Sequence, residues 1–344
     1  MKKLFLALLL LTGVVCFNAC STKVDLYSDY KNIPVIYGLL DATQDTNFIR
    51  INRAFSGNDE NPVNANEVSL IADSCNYPGK LNAYLIEYKN VYGNEYFPSG
   101  RDTIKLDTIT IHDKQEGLFY APDQKVYFTT ALFKQNSNAT RYKYKLFVHL
   151  GNDTVSSETE IVGGEGFKIL TNNAAFTSTP NERSQKIKFS RADNAVVYDV
   201  KMAFHYTEQK GNSPVVNKQV TWKFGAKSTD DLSIDESNYY VSYAENSLFS
   251  LLESAIGNDT IGVTRLFAPK PIEISIAAGG EELFNYIQVN ALSGSFSQTI
   301  PDYTNVTGGY GVFSSRANIT KFITLSSRAT ADLYGKNWGF QLQQ

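Results

Sequence analysis

The chain has 344 residues and a formal net charge of −3, and 42% of its residues are hydrophobic and 13% aromatic. That apolar content excludes wholesale disorder, the length suits about two domains, and a mildly acidic balance without Lys or Arg runs argues against nucleic acid as a partner. The cysteines are Cys16, Cys20 and Cys75, too few for a disulfide framework.

The first predicted element is an export signal. Lys2 and Lys3 precede an apolar run over 4–15, and Ala19 stands directly before Cys20. The run is short for a permanent bilayer span and reads as a cleaved signal covering 1–19. A cysteine just after the cleavage point predicts a lipid-modified Cys20, as in bacterial lipoproteins. An ordinary signal peptide with Cys20 a spectator is the alternative, because Phe17-Asn18-Ala19 fits the lipidation motif only loosely. Acyl chains contribute about 0.8 kcal/mol per buried CH₂, and stable anchoring takes more than one chain, which a diacyl or triacyl cysteine supplies. Residues 20–31 are the expected tether. Asp25 is the acid just after Cys20, too little for an acidic surface-export cluster, so a periplasm-facing position is expected. With Cys16 removed and Cys20 lipidated, Cys75 stands alone and reads as a small core residue.

Between 32 and 162, short apolar segments recur between turn residues, the pattern of a β-sandwich. Residues 34–40 form a compact apolar run ending at Asp41. In 48–55, Ile49 and Ile51 share one face and Arg50 and Asn52 the other. Leu81, Ala83 and Leu85 oppose Tyr84, Ile86 and Tyr88, so that strand is expected to be covered on both faces. Tyr142, Tyr144, Leu146, Val148 and Leu150 share a face against Lys143 and Lys145, the period of a half-buried strand. The apolar phase flips from Ile104 and Leu106 to Ile109 and Ile111, which demands a bulge or turn near Asp107. The polar loop 58–67, with Asp59, Glu60 and Glu67, offers oxygen ligands of the kind calcium takes. Its spacing matches no EF-hand loop, and solvated loop acids are the expectation. A short helix is expected over 67–77.

Gly163, Gly164 and Gly166 then interrupt the patterning and mark a linker. Ile187 and Phe189 alternate with Lys186 and Lys188. Val196, Tyr198, Val200, Met202, Phe204 and Tyr206 form the strongest strand face, with Asp199, Lys201 and His205 opposite. Val220, Trp222 and Phe224 predict its antiparallel neighbour across a polar hairpin at 209–214. Leu248, Leu251, Leu252, Ala255 and Ile256 fit a helical stripe, with Ser242 and Glu245 as a capping box and Gly257-Asn258 as the stop. The stripe is expected to pack on a sheet; a partner-binding role is the lesser reading. Strand patterning returns at 261–267, 272–276 and 319–325, with Pro269 and Pro271 dividing the first two. The whole reads as mainly β: two immunoglobulin- or fibronectin type III-like β-sandwich domains, 32–162 and 167–344, the second with a helix near 242–256.

Several stretches also resemble a known group of proteins. They are Ile36-Tyr-Gly-Leu-Leu-Asp41, Phe48-Ile-Arg-Ile-Asn-Arg-Ala-Phe55, Glu282-Leu-Phe-Asn-Tyr-Ile287 and Tyr303-Thr-Asn-Val-Thr-Gly-Gly-Tyr-Gly-Val-Phe-Ser-Ser-Arg316. Together they resemble a family of uncharacterised cell-envelope lipoproteins of the Bacteroidetes. The resemblance implies an envelope location and β-rich domains, and it carries over no catalytic residue. Such bacteria attach O-linked glycans at Asp-Ser/Thr followed by an apolar residue, which makes Thr103, Thr108, Thr154 and Thr260 candidate modification sites.

Gly308-Gly309-Tyr310-Gly311 is a tight turn entering a strand, since glycine alone adopts positive φ freely. No helix signal or Gly-Lys-Ser/Thr follows, so it is no phosphate cradle. Arg316 is expected to brace this loop through backbone carbonyls, with ligand binding by the loop and Arg316 as the sharper alternative. His112, His149 and His205 are dispersed, and no H-E-x-x-H, C-x-x-C, G-x-S-x-G or P-loop is present. The acid pairs Asp230-Asp231, Asp235-Glu236 and Glu281-Glu282 raise glycoside hydrolysis, which needs two carboxyls about 5–9 Å apart across a cleft; sequence neighbours usually point apart. Trp222 lies in the apolar phase of its strand, and Trp338 is expected to be the exposed tryptophan.

The expectation is a non-enzymatic envelope lipoprotein, anchored by Cys20 to the outer membrane, that binds other envelope components. No cofactor or metal is expected. The partners are the membrane through its lipid and an envelope protein; the alternative is a glycan-binding or glycan-processing accessory of an outer-membrane nutrient-uptake system, with a glycan as ligand. An aromatic platform beside a carboxylate would favour the glycan, and a flat apolar patch near the 242–256 helix would favour the protein.

Overall fold

The computed structural model describes residues 33–54, 75–93, 95–112, 124–179, 182–256, 260–292 and 303–341. The signal, Cys20, the 58–67 loop, most of the 67–77 segment and Gly257-Asn258 lie outside the described residues.

The architecture is mainly β. Alternation along 196–206 gives the longest hairpin, β12 (Val197–Lys210) with β13 (Val216–Ser228), as the apolar phase of both segments predicts. β12 also pairs with β17 (Ile272–Gly279), which pairs with β18 (Tyr310–Leu325). β18 then runs parallel to β1 (Pro34–Asp41), and β1 pairs with β2 (Asn47–Arg53). β7 (Gln124–Thr129) and β6 (Asp107–Ile111) complete the path. β10 (Asn173–Ala174) joins β18 and β16 (Val263–Leu266) joins β12, making ten strands.

Two smaller sheets cover the inner face of this long sheet. β3 (Asn82–Val91), β4 (Phe97–Pro98), β5 (Ile104–Lys105), β8 (Thr140–Leu150) and β9 (Asp153–Glu160) form one. Its Ala83, Leu85, Tyr144, Leu146 and Val148 pack against Ile36, Leu40, Ile49 and Ile51. β11 (Ser184–Phe189), β14 (Ser233–Asp235) and β15 (Asn238–Ala244) form the other. That sheet, with helices α1 (Ser247–Ile256) and α3 (Ser327–Gly335), buries Ile187, Phe189, Val241, Leu252 and Leu333 against Tyr198, Val200, Met202 and Ile274. A third helix, α2 (Glu281–Leu292), lies against β18. No helix among the described residues is long and apolar enough to cross a membrane.

The long sheet crosses the 162/167 division. Val306 and Phe313, near the C-terminus, belong to the core built from residues 36–161, while Ala317, Ile323 and Leu325 belong to the other. β18 therefore serves both cores. The expected linker is itself packed: Val162 N–H donates to Ser315 Oγ at 2.9 Å and Gly163 N–H to the Asp193 carbonyl at 2.9 Å.

Several local expectations are corrected. The capping box at Ser242 and Glu245 does not form, because Tyr239, Val241 and Tyr243 alternate into the core and hold Ser242 in β15, opposite Lys186. The helix starts at Ser247, and its buried side is Leu248, Phe249, Leu252 and Ile256, leaving Ala255 exposed. Trp338 is buried at 9% exposure, beside Phe249 at 6.1 Å, and Trp222 is only half-buried. The phase flip near Asp107 is a change of sheet: β5 pairs with β3, and β6 pairs with β7 in the long sheet. Tyr84, Ile86 and Tyr88 are half-buried rather than covered.

Candidate functional site

The period of two in β1 sends Ile36 and Leu40 into the core and Tyr37 to the outer face of the long sheet. On β2 the same alternation exposes Phe48 and Arg50 between Asn47, Ile49 and Ile51. Arg316, on β18 opposite Asp41, points to the same side. A cleft of about 300 Å³ lies there, with Tyr37, Asp41, Gln44, Thr46, Phe48 and Arg316 in its walls. Tyr37 is 39% exposed, Phe48 48% and the Arg316 side chain 47%. Each ring has an aromatic neighbour: Tyr286 of α2 stands edge-on to Tyr37 at 6.0 Å, and Phe128 lies 6.3 Å from Phe48.

One buried acid organises the rim. Asp41 Oδ1 accepts from the Thr43 N–H at 3.0 Å and the Thr43 hydroxyl at 2.6 Å, and Oδ2 accepts from Asn318 Nδ2 at 2.8 Å. Asn47 closes the loop reciprocally, accepting from the Asp41 N–H at 2.7 Å and donating to the Asp41 carbonyl at 3.1 Å. The nearest approach of Arg316 to Asp41 is through Nε, at 3.6 Å. The arrangement can stack a ring, offer an amide and a hydroxyl, and engage an anion.

Arg316 does not brace the glycine turn as the sequence reading expects, because it lies five residues beyond Gly311 along the strand. The turn explains itself through packing. Gly308 has φ +83° and Gly311 φ +110°. A Cβ on Gly309 would come within 2.7 Å of the Pro34 carbonyl oxygen, and one on Gly311 would overlap the Ile36 carbonyl. These glycines let β18 lie beside β1. Tyr310, exposed, begins β18 opposite Val35, outside the walls of the cleft. Of the candidate loop, only Arg316 reaches it. The Asp-Thr sites are scattered: Thr103 and Thr154 exposed, Thr108 and Thr260 half-buried, with Thr154 Oγ1 2.9 Å from His149 Nδ1.

The sequence reading missed Tyr37, Phe48 and the Asp41 clamp as a unit. Odd-numbered Tyr37 between even-numbered core residues was the available signal. It also missed α2, signalled by Glu281 and Glu282 in a first helical turn after Gly280. There Glu282 accepts from Ser314 Oγ at 2.9 Å and Thr159 Oγ1 at 3.2 Å. Burial pushes its carboxyl above the ordinary glutamate range, against the hydrogen bonds that favour its charged form. A cleft of about 220 Å³ lies beside it, between Glu160, Asn194 and Glu281.

Of the other paired acids, Asp235 and Asp231 are engaged locally. Asp235 meets Lys186 at 3.0 Å and Lys188 at 2.9 Å, and Asp231 accepts from Ser228 Oγ at 2.6 Å. On the outer face His205 Nε2 lies 2.7 Å from Glu273 Oε2, while the Ser275 hydroxyl donates to Glu273 Oε1 at 2.8 Å. A nucleophilic relay places imidazole between hydroxyl and carboxylate. Here the carboxylate stands between them, so the imidazole does not activate the hydroxyl. Among the described residues, no group of three or more His, Cys, Asp or Glu side chains converges to hold a metal ion.

No protein-family model matches the chain, and no curated protein matches it significantly.

Proposed function

We propose that this protein is a non-enzymatic recognition module of the bacterial cell envelope, held at the outer membrane by a lipid on Cys20 and akin to the envelope lipoproteins of the Bacteroidetes. The lipid fixes the N-terminus, residues 20–31 give reach, and two immunoglobulin-like sandwiches built on a shared sheet present surfaces to other envelope components. The observation carrying this reading is the open Tyr37–Phe48–Arg316 cleft on a face that neither core uses. The apolar side of α1 packs in the core, so that side lends no support to a protein-docking patch at the helix.

A glycan-binding or glycan-processing accessory of a nutrient-uptake system is the second reading, from another class. It is favoured by aromatic rings beside an arginine in the cleft. Palmitate labelling of wild type and Cys20→Ala tests the tether: label should enter only the wild type, and the variant should leave the detergent phase. Labelling or partition unchanged by the substitution overturns it. Pull-down from envelope extracts beside a glycan array tests recognition. A single envelope protein with a blank array removes the glycan, and a blank in both removes recognition.

A further inference from the structure

Both edges of β1 are occupied, by β2 and by β18. Along Val35–Gly38 the floor of the cleft therefore offers no unpaired edge to which a peptide backbone adds. The rim is set before any ligand arrives, by the Asp41–Asn47 exchange and the Thr43 and Asn318 bonds to the Asp41 carboxylate. Prior ordering of this kind lowers the entropic cost of binding.

The chemistry the cleft exposes is specific. Tyr37 and Phe48 present aromatic surface with negative ring faces, suited to polarised C–H groups. Gln44 and Thr46 supply an amide and a hydroxyl. Three donors already engage the Asp41 carboxylate, and Arg316 comes no nearer to it than 3.6 Å, at Nε. The terminal nitrogens of the guanidinium form a planar fork that matches a carboxylate in bidentate fashion. Arg50, opposite Tyr37 on β2 and exposed on the same face, adds positive charge. A volume of about 300 Å³ sits at the small end of ligand clefts and suits one ring unit better than a folded partner.

We propose that the Tyr37–Phe48–Arg316 cleft is a subsite for a saccharide unit bearing a carboxylate, its ring against the aromatic side chains and its acid on Arg316. The inference rests on the recognition reading and names the ligand class for its glycan form.

Calorimetric titration of the full-length protein tests it, with oligogalacturonate and oligomannuronate, the neutral oligosaccharide of equal length, and polyglutamate as probes. Wild type should bind a uronate about tenfold or more tighter than the neutral chain, a gap of about 1.4 kcal/mol. Arg316→Gln should erase that preference, and Tyr37→Ala should weaken both saccharides. Thermal melts identify any variant that fails to fold; Arg316→Met then replaces Arg316→Gln, and Phe48→Ala replaces Tyr37→Ala. No uronate binding by wild type, an unchanged preference in folded Arg316→Gln, or polyglutamate binding as tightly as the uronate overturns the proposal. None of these bears on the tether, which the Cys20→Ala partition reads separately.

Discussion

The α-carbon of Gly311 faces the main-chain carbonyl of Ile36 so closely that a single methyl group would overlap it. This contact joins the C-terminal strand to the N-terminal one, in parallel, from Val35 opposite Tyr310 to Asp41 opposite Arg316. Gly311→Ala must break it twice over, through the clash and through φ +110°. A loss of about 3–4 kcal/mol is expected, at the large end of point substitutions. Urea denaturation would show it as a lower midpoint, and an unchanged midpoint would mean that the two strands separate without cost.

Phe313 is completely buried in the core otherwise made by residues 36–161 and Val306. Phe313→Ala should therefore cost about 3–5 kcal/mol. A fragment ending at residue 162 lacks β18 and should fail to give a cooperative melt. Cooperative unfolding of that fragment would show the first core to be self-sufficient.

Glu282 and Glu87 should respond to pH with opposite signs. Burial raises the Glu282 carboxyl, so its ionisation costs stability above its folded value, and the cost is absent below the ordinary glutamate value of 4.5. Glu282→Gln should thus raise the melting temperature near neutrality, and the gain should vanish below about pH 4.5. A gain that persists in acid would assign the effect to packing.

Burial also opposes the charge on Glu87, but hydrogen bonds from Tyr144 at 2.6 Å and Arg101 at 3.0 Å, together with Ser99, outweigh it and lower its titration. Its contribution is present above the ordinary glutamate range and is lost as pH falls through the lowered value. Glu87 is 4% exposed and Arg101 30%, so Arg101→Ala should cost about 2 kcal/mol, between the exposed and buried limits for ion pairs. Adding Glu87→Gln should recover part of that loss, and strict additivity of the two changes would deny the coupling.

Arg265, 3% exposed, pairs with Glu208 at 2.8 Å and donates to the Trp338 carbonyl, holding the segment around Trp338 over the second core. Glu208→Ala should loosen 336–341 before the rest, read as faster amide exchange at Gln341, whose N–H donates to the Arg265 carbonyl at 3.0 Å. Protection equal to wild type there would show that packing of Trp338 alone suffices.

The strand segments were legible wherever one face is wet: the 196–206 and 142–150 alternations survive as β12 and β8 because burial of one side repeats every second residue. Tyr239, Val241 and Tyr243 carry the same signal, yet a Ser and Glu at capping spacing competed with it, and tertiary pairing with β11 decided for the strand. Of the cleft, only Arg316 was visible in advance. Tyr37 entered the sequence reading inside the apolar run 34–40, and Phe48 as the start of the alternating segment 48–55.

By itself the sequence determined the local matters: which residues alternate and where glycine permits a turn. Whether the two halves share a sheet was decided only by the folded chain, because a strand's period says which face is apolar and nothing about which distant strand it will meet. Asp41, Arg316 and Asn318 converge through the same β1–β18 pairing, across 277 positions between Asp41 and Asn318. The rim exists because that hydrogen-bonded register closes, which no local pattern encodes.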